Sequence, residues 1–171
     1  MIVLVCGLPG VGKTSIAKEI ARITNWAILS TDKIRKELTP NPNYGRRERR
    51  IVYVILMLIA KYLQNYGINC ILDATFNTEN SRKEIKEKLN LKSDQMCIVE
   101  CVCPEDIVIS RLENRKNDFS DADATIYRNM KAPYEPVKEE HIVVDTSQKS
   151  PSANAAKIVS LILRNRKSSE I

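Results

Sequence analysis

The segment Gly7-Leu8-Pro9-Gly10-Val11-Gly12-Lys13-Thr14-Ser15 carries the clearest chemistry in the chain. Gly7, Gly12, Lys13 and Thr14 fill every defined position of the pattern G-x-x-x-x-G-K-[S/T]. Glycines let the backbone wrap closely round an anion, so that successive N–H groups and the start of a following helix point at it. In this arrangement Lys13 reaches the β- and γ-phosphates of a nucleotide and the Thr14 hydroxyl ligates magnesium. The stretch from Gly7 to Ser15 is therefore expected to bind ATP with Mg2+. A glycine-rich turn without function is the plain alternative. It is disfavoured because an apolar run precedes the motif and a helical pattern follows it.

Two further acids sit at comparable places. Asp73 closes the run Ile68–Leu72, where a carboxylate can hold a magnesium-bound water or an arginine; a solvated loop acid is the competing reading. Asp145, closing Ile142–Val144, reads as structural. In Ser30-Thr31-Asp32-Lys33-Ile34-Arg35 the acid and the arginine are three apart at a helix start, so both can face one cleft. A carboxylate there can take a hydroxyl proton, and an arginine can hold an anionic acceptor through two hydrogen bonds. Aspartate at a helix start is also a common cap, and spacing alone leaves both roles open.

These residues need a frame. Short apolar runs at Ile2–Cys6, Ala27–Leu29, Ile68–Leu72, Met96–Cys101 and Ile142–Val144 read as strands. Between them lie helical patterns at Lys13–Ile23, Lys33–Leu38, Arg46–Tyr66, Glu79–Leu89, from Pro104 to roughly Arg115, from about Asp123 to Pro133, and Ser152–Leu163. Alternating strands and helices with fully apolar strands predict an α/β fold, a central parallel sheet of about five strands with helices on both faces. Ligands of such sheets sit beyond the carboxyl ends of the strands. Gly7, Ser30, Asp73 and Asp145 all fall there. The helix Arg46–Tyr66 is expected to be mostly core. Its basic start, Arg46, Arg47, Arg49 and Arg50, opposes the helix dipole and either holds an anion or is a solvated face.

The 171 residues suit one domain, 43% hydrophobic and 28% charged, with a net charge of +6 that favours anionic partners. A second basic cluster, Arg164, Arg166 and Lys167, reads as a solvated end. The five cysteines, Cys6, Cys70, Cys97, Cys101 and Cys103, form no C-x-x-C pair, and the lone histidine, His141, is remote. Reduced thiols are expected in place of a zinc site, which points to the cytoplasm. The longest apolar run, Ile51–Ala60, is too short to cross a bilayer, so no membrane partner is expected.

Taken together, Gly7–Thr14, Ser30-Thr31-Asp32-x-x-Arg35, Asp73-Ala74-Thr75-Phe76-Asn77 and Arg111-x-x-x-Arg115 resemble the small P-loop kinases related to the 5′-hydroxyl kinase domain of phage polynucleotide kinase. Ser120-Asp121-Ala122-Asp123, Tyr127 and Tyr134-Glu135-Pro136 are similar to the same group, which includes zeta-toxin-like kinases. The resemblance spans about Met1 to Thr146. It implies that Lys13 and Thr14 bind phosphate and magnesium, that Asp32 is the general base and that Arg35 contacts a phosphate on the acceptor. It also implies that Asp73 orients Arg35. Arg115, with Arg111 beside it, would stabilise the transferring group from a lid over about 111–124. The acceptor stays open: an RNA or DNA end, a tRNA-linked serine or a small alcohol all suit these motifs.

Nucleoside monophosphate kinases share the Ser-Thr-x-Asp-x-x-Arg theme, but their third strand ends in Asp-Gly-x-Pro-Arg. Here no proline follows Asp73 and no arginine comes before Arg82, which favours a hydroxyl acceptor. A regulatory ATPase without an acceptor is the reading from another class, and the Arg111/Arg115 pair argues against it. The expectation is thus an ATP- and Mg2+-dependent phosphotransferase with an alcohol as acceptor.

Overall fold

Every apolar run in the alternating pattern becomes a strand of one parallel sheet in the computed structural model, which describes residues 1–39, 41–114 and 120–169, with side chains described to residue 164. Arg115 of the expected lid, and the side chains of Arg166 and Lys167, lie outside the described residues. The elements in chain order are β1 (Ile2–Cys6), α1 (Lys13–Thr24), β2 (Ala27–Ser30), α2 (Thr31–Leu38), α3 (Arg46–Asn65), β3 (Cys70–Asp73), α4 (Glu79–Lys88), β4 (Met96–Val102), α5 (Glu105–Glu113), α6 (Ala124–Lys131), β5 (Ile142–Asp145) and α7 (Pro151–Ser169). The sheet order is β2-β3-β1-β4-β5, all pairs parallel. The chain adds strands first on one side of β1 and then on the other, so the switch in direction lies beside β1, where such sheets bind ligands.

Strand residues alternate between two cores. Val3, Val5, Ile71 and Val99 pack beneath α1, α5 and α7, while Ile2, Leu4, Leu72 and Ile98 pack beneath α2, α3 and α4. With helices on both faces the central strands are buried throughout, which is why they read as unbroken apolar runs.

Boundaries around α3, β3 and α2 differ from the sequence reading for local reasons. α3 ends in a Schellman motif: Gly67, at φ +70°, donates to the Gln64 carbonyl and Ile68 donates to that of Leu63. Ile68 is spent on that cap, so β3 begins at Cys70 and ends on Asp73 itself. α2 starts at Thr31, with Ser30 as its N-cap residue, which places Asp32 inside the first turn and not at the cap.

The larger correction concerns α3. Only Val52, Leu56 and Ala60, one residue per turn, are buried, whereas Ile51, Val54, Leu58 and Tyr62 are exposed. The helix lies over the β2–β3 edge of the sheet, so one stripe is buried, Tyr53, Ile55, Met57 and Leu63 pack on the core while partly exposed, and the apolar composition does not make it a fully buried helix. No helix among the described residues is long and apolar enough to cross a membrane.

Candidate active site

β1 delivers the chain into a loop that no other residue type could follow at its ends. Gly7 has φ +133°, and a Cβ there would stand 2.3 Å from the Cys101 carbonyl oxygen on β4. Gly12, at φ +93°, turns the chain directly into α1 at Lys13. α1 begins without a side-chain cap, which leaves its first N–H groups free for an anion. Lys13 Nζ curls over this loop and donates to the Leu8 carbonyl at 2.8 Å. Burial pulls the Lys13 ammonium below its usual range, opposed chiefly by Asp73.

Thr14 and Asp73 meet as the motif requires. Register aligns Asp73 with Val5 on one side and Ser30 on the other, at the carboxyl ends of three adjacent strands. Thr14 Oγ1 donates to Asp73 Oδ2 at 2.7 Å. Asp73 is 3% exposed, and burial pushes its carboxyl above the usual range, with Lys13 and Thr14 pulling it back. A buried carboxylate and a hydroxyl side by side at the foot of a phosphate loop are hard oxygen donors suited to magnesium. That donor set fits the ion.

The acceptor side differs from expectation. Asp32 does not cap α2; its Oδ1 accepts from Arg35 Nη1 at 2.9 Å, and among the described residues no bond engages Oδ2. Arg35, only 6% exposed, does not meet Asp73. Its second partner is Glu48 on α3, with Nε and Oε1 3.0 Å apart and the angle off a hydrogen-bond line. Its guanidinium lies over the Tyr44 ring, 4.8 Å from the centroid. The orienting role expected of Asp73 falls to Asp32, Glu48 and Tyr44, because Asp73 ends its strand beside Thr14 and is taken by it.

Asp121 closes this side. It accepts from Lys36 at 2.7 Å and from the Tyr44 hydroxyl, while Asp123 caps α6 through the Ile126 N–H at 2.8 Å. The acidic motif thus tethers the segment entering α6 to α2. Tyr134 and Glu135 are also absorbed structurally. Tyr134 donates to Glu100 at 2.8 Å, and Glu135 accepts from the Glu79 N–H at the start of α4.

Arg111 is anchored on the loop after β5. Its Nη1 and Nη2 donate to the Thr146 hydroxyl and carbonyl, each at 2.9 Å, and the Thr146 hydroxyl donates on to the Val11 carbonyl at 2.6 Å. Arg111 therefore braces the phosphate loop from behind. Asp145, as expected, is structural, accepting from the Ser147 N–H and hydroxyl. Arg82 has 0% exposure and donates to the carbonyls of Phe76, Glu135 and Pro136. Cys6, at the end of β1, is pushed by burial to about 12 and is no nucleophile at neutral pH.

One cavity of about 1240 Å3 joins these groups, running from Lys13, Thr14 and Asp73 past Asp32 and Arg35 to α3, α4 and α6. Glu48, Tyr44 and Thr146 are site residues to which the sequence reading gave no role, and Asp121 entered it only within the motif Ser120–Asp123. Glu48 is one of three acids between residues 20 and 50, with Asp32 and Glu37, and only the packing of α3 on α2 selects it. Among the described residues no cluster of His, Cys, Asp and Glu has the form of a metal centre.

Comparison with known proteins bears on the family and the fold. Residues 2–137 match the family AAA_33, described as an AAA domain. An uncharacterized protein of Mycobacterium tuberculosis is 27% identical over 137 residues, which cover 73% of this chain and 28% of that protein. The chain thus spans under a third of the length of the curated relatives it matches. A sugar kinase from Janibacter sp. HTCC2649 superposes with a TM-score of 0.72 at 19% identity, covering 93% of this chain and 92% of the other. The Mycobacterium tuberculosis APS kinase CysC, solved with AMPPNP and APS, gives 0.67 at 18% identity, covering 95% and 96%. The fold is that of small P-loop kinases.

Proposed function

The chain belongs to the AAA domain family AAA_33, and we propose that it is a kinase that transfers the γ-phosphoryl group of ATP to an alcohol. The observation that carries this reading is the cavity in which the Lys13–Thr14–Asp73 cluster and Asp32, whose Oδ2 has no partner among the described residues, share one space. Backbone N–H groups of Gly7–Thr14 and the Lys13 ammonium hold the phosphates, with Ser15 at the start of α1 beside them. Thr14 and Asp73 would hold Mg2+, which neutralises charge on the β- and γ-oxygens when bound.

The acceptor oxygen attacks the γ-phosphorus, the bond to the β-bridging oxygen breaks, and ADP leaves. Asp32 Oδ2 takes the proton that the hydroxyl loses. Arg115 is proposed to close over the transferring group from a lid spanning about 111–124, with Arg111 fixing the base of that lid on Thr146. Residues 1–171 are read as one kinase domain in a reducing compartment, the cytoplasm, in keeping with five free cysteines.

Within the alcohols, a nucleic-acid-linked hydroxyl, as in kinases of the polynucleotide type, is the finer reading; Arg49, Arg50 and Lys88 along the cavity wall support it. A nucleoside monophosphate acceptor is disfavoured by Arg82, whose guanidinium is buried on carbonyls and unavailable to an acceptor phosphate. The test is ADP release across a panel of nucleosides, nucleoside monophosphates, 5′-hydroxyl oligonucleotides, sugars and aminoacyl-tRNA. A rate stimulated by one alcohol supports the proposal; ATP turnover indifferent to every acceptor is the result that excludes it.

A further inference from the structure

Among the described residues Arg35 is the arginine paired with Asp32, and its charge already meets two carboxylates. The guanidinium lies between the Asp32 carboxylate at 2.9 Å and the Glu48 carboxylate at 3.0 Å, with the Tyr44 ring against its face. Glu48 is held where it is: its side chain is 10% exposed, and it also accepts from the N–H groups of Asn43 at 2.8 Å and Tyr44 at 3.3 Å. Nearby, Asp121 takes Lys36, the one other cation on α2 that reaches this group. Among the described residues, the three carboxylates of this group therefore face two cations. The next cation, Arg49, is turned to the Tyr44 carbonyl.

An incoming phosphate would have to displace a carboxylate from Arg35 or share the guanidinium with two of them. Like charges a few ångströms apart in a partly buried pocket repel one another and disfavour a second anion. A hydroxyl or polyol meets no such barrier. It finds carboxylate oxygens that accept its protons, and selection against a charged competitor needs only this repulsion.

We propose that the phosphoryl-accepting end of the cleft selects an uncharged, hydroxyl-bearing head group, and that Glu48 is the specificity residue, cancelling Arg35 so that it binds no acceptor phosphate. This rests on the kinase reading above for the identity of the cleft. It departs from the role that the family resemblance gives Arg35. Any anionic part of the acceptor would lie farther out, toward Arg50 on α3, a cavity-lining cation with no ion pair among the described residues.

The test uses inorganic phosphate as probe, titrated into the full chain saturated with magnesium and a non-hydrolysable ATP analogue, read by calorimetry. Wild type and Arg35→Gln should give the same weak isotherm. Glu48→Gln should bind phosphate at least about tenfold more tightly, and the double variant should lose that gain. Phosphate binding in wild type that Arg35→Gln weakens tenfold overturns the proposal, as does Glu48→Gln with no gain. Should Glu48→Gln fail to fold, competition by glycerol against glycerol 3-phosphate on wild type decides: a preference for the phosphorylated member, or indifference, overturns the proposal, and a preference for glycerol supports it. None of these readouts needs turnover. A protein that passes them yet phosphorylates no alcohol fails the kinase reading alone.

Discussion

Replacing Asp32 by asparagine removes a base and keeps nearly everything else. The side chain keeps its size, and its oxygen can still accept from Arg35 Nη1, the 2.9 Å contact that Asp32 Oδ1 makes. Asp32 is 37% exposed on its side chain, so the lost ion pair falls in the range of about 0–1 kcal/mol for exposed pairs. A first-turn acid on α2 is lost as well, worth a few tenths of a kcal/mol more. For a chain of this size 1 kcal/mol moves the melting temperature by about 2–4 °C, so the variant should melt within about 5 °C of the parent. The chemistry should suffer far more. An alcohol must lose its proton as the phosphorus–oxygen bond forms, and a positioned carboxylate contributes about 10²–10⁴ in rate, or about 3–5 kcal/mol. The assay is steady-state kcat with the reacting alcohol, beside thermal melts and ATP-analogue titration. The expected result is a kcat at least about a hundredfold lower with unchanged nucleotide affinity. A kcat within about threefold of the parent would refute the base assignment.

Lys13→Ala should abolish turnover in a folded protein and Thr14→Ala should weaken the response to magnesium; full activity in the lysine variant contradicts the phosphate site. Arg82→Met leaves the carbonyls of Phe76, Glu135 and Pro136 without their charged donor and should cost about 3 kcal/mol or more, a fall of about 6–12 °C in melting temperature; a loss under about 1 kcal/mol in chemical denaturation contradicts the clamp. Burial holds the Asp73 carboxyl above the usual range, so the folded chain binds that proton more tightly than the unfolded one. The ligand-free protein should therefore lose stability as pH rises through the window between the usual carboxylate value and the raised one. Affinity for ATP with magnesium, which needs the ionised form, should fall as pH drops into the same window. Asp73→Asn should flatten both slopes, and slopes that persist in it contradict the assignment.

What the sequence made legible was local. The glycine loop between a strand and a helix is encoded in nine consecutive residues, and the alternation of apolar runs with helical patterns is enough for a parallel sheet of five strands. Lys13, Thr14 and Asp73 come together because strand register places their ends side by side, and that follows from the topology. The acceptor side was less legible because its contacts depend on how helices lean. Lys36 and Asp121 are 85 residues apart, and Thr146 reaches Val11 across 135. Glu48 reaches Arg35 only through the packing of α3 on α2. The exposed apolar face of α3 misled for a related reason: a run of hydrophobic residues reports a preference for burial, and the neighbouring elements decide how much of it is met.

The most direct test of the central claim follows the label from γ-32P-ATP. With the reacting acceptor present, the account expects the label in an acid-stable phosphate monoester on a hydroxyl oxygen, formed at a rate set by acceptor concentration and absent in Lys13→Ala. Label appearing as inorganic phosphate at the same rate with and without every alcohol, or in a phosphoanhydride on a nucleoside monophosphate, would contradict it.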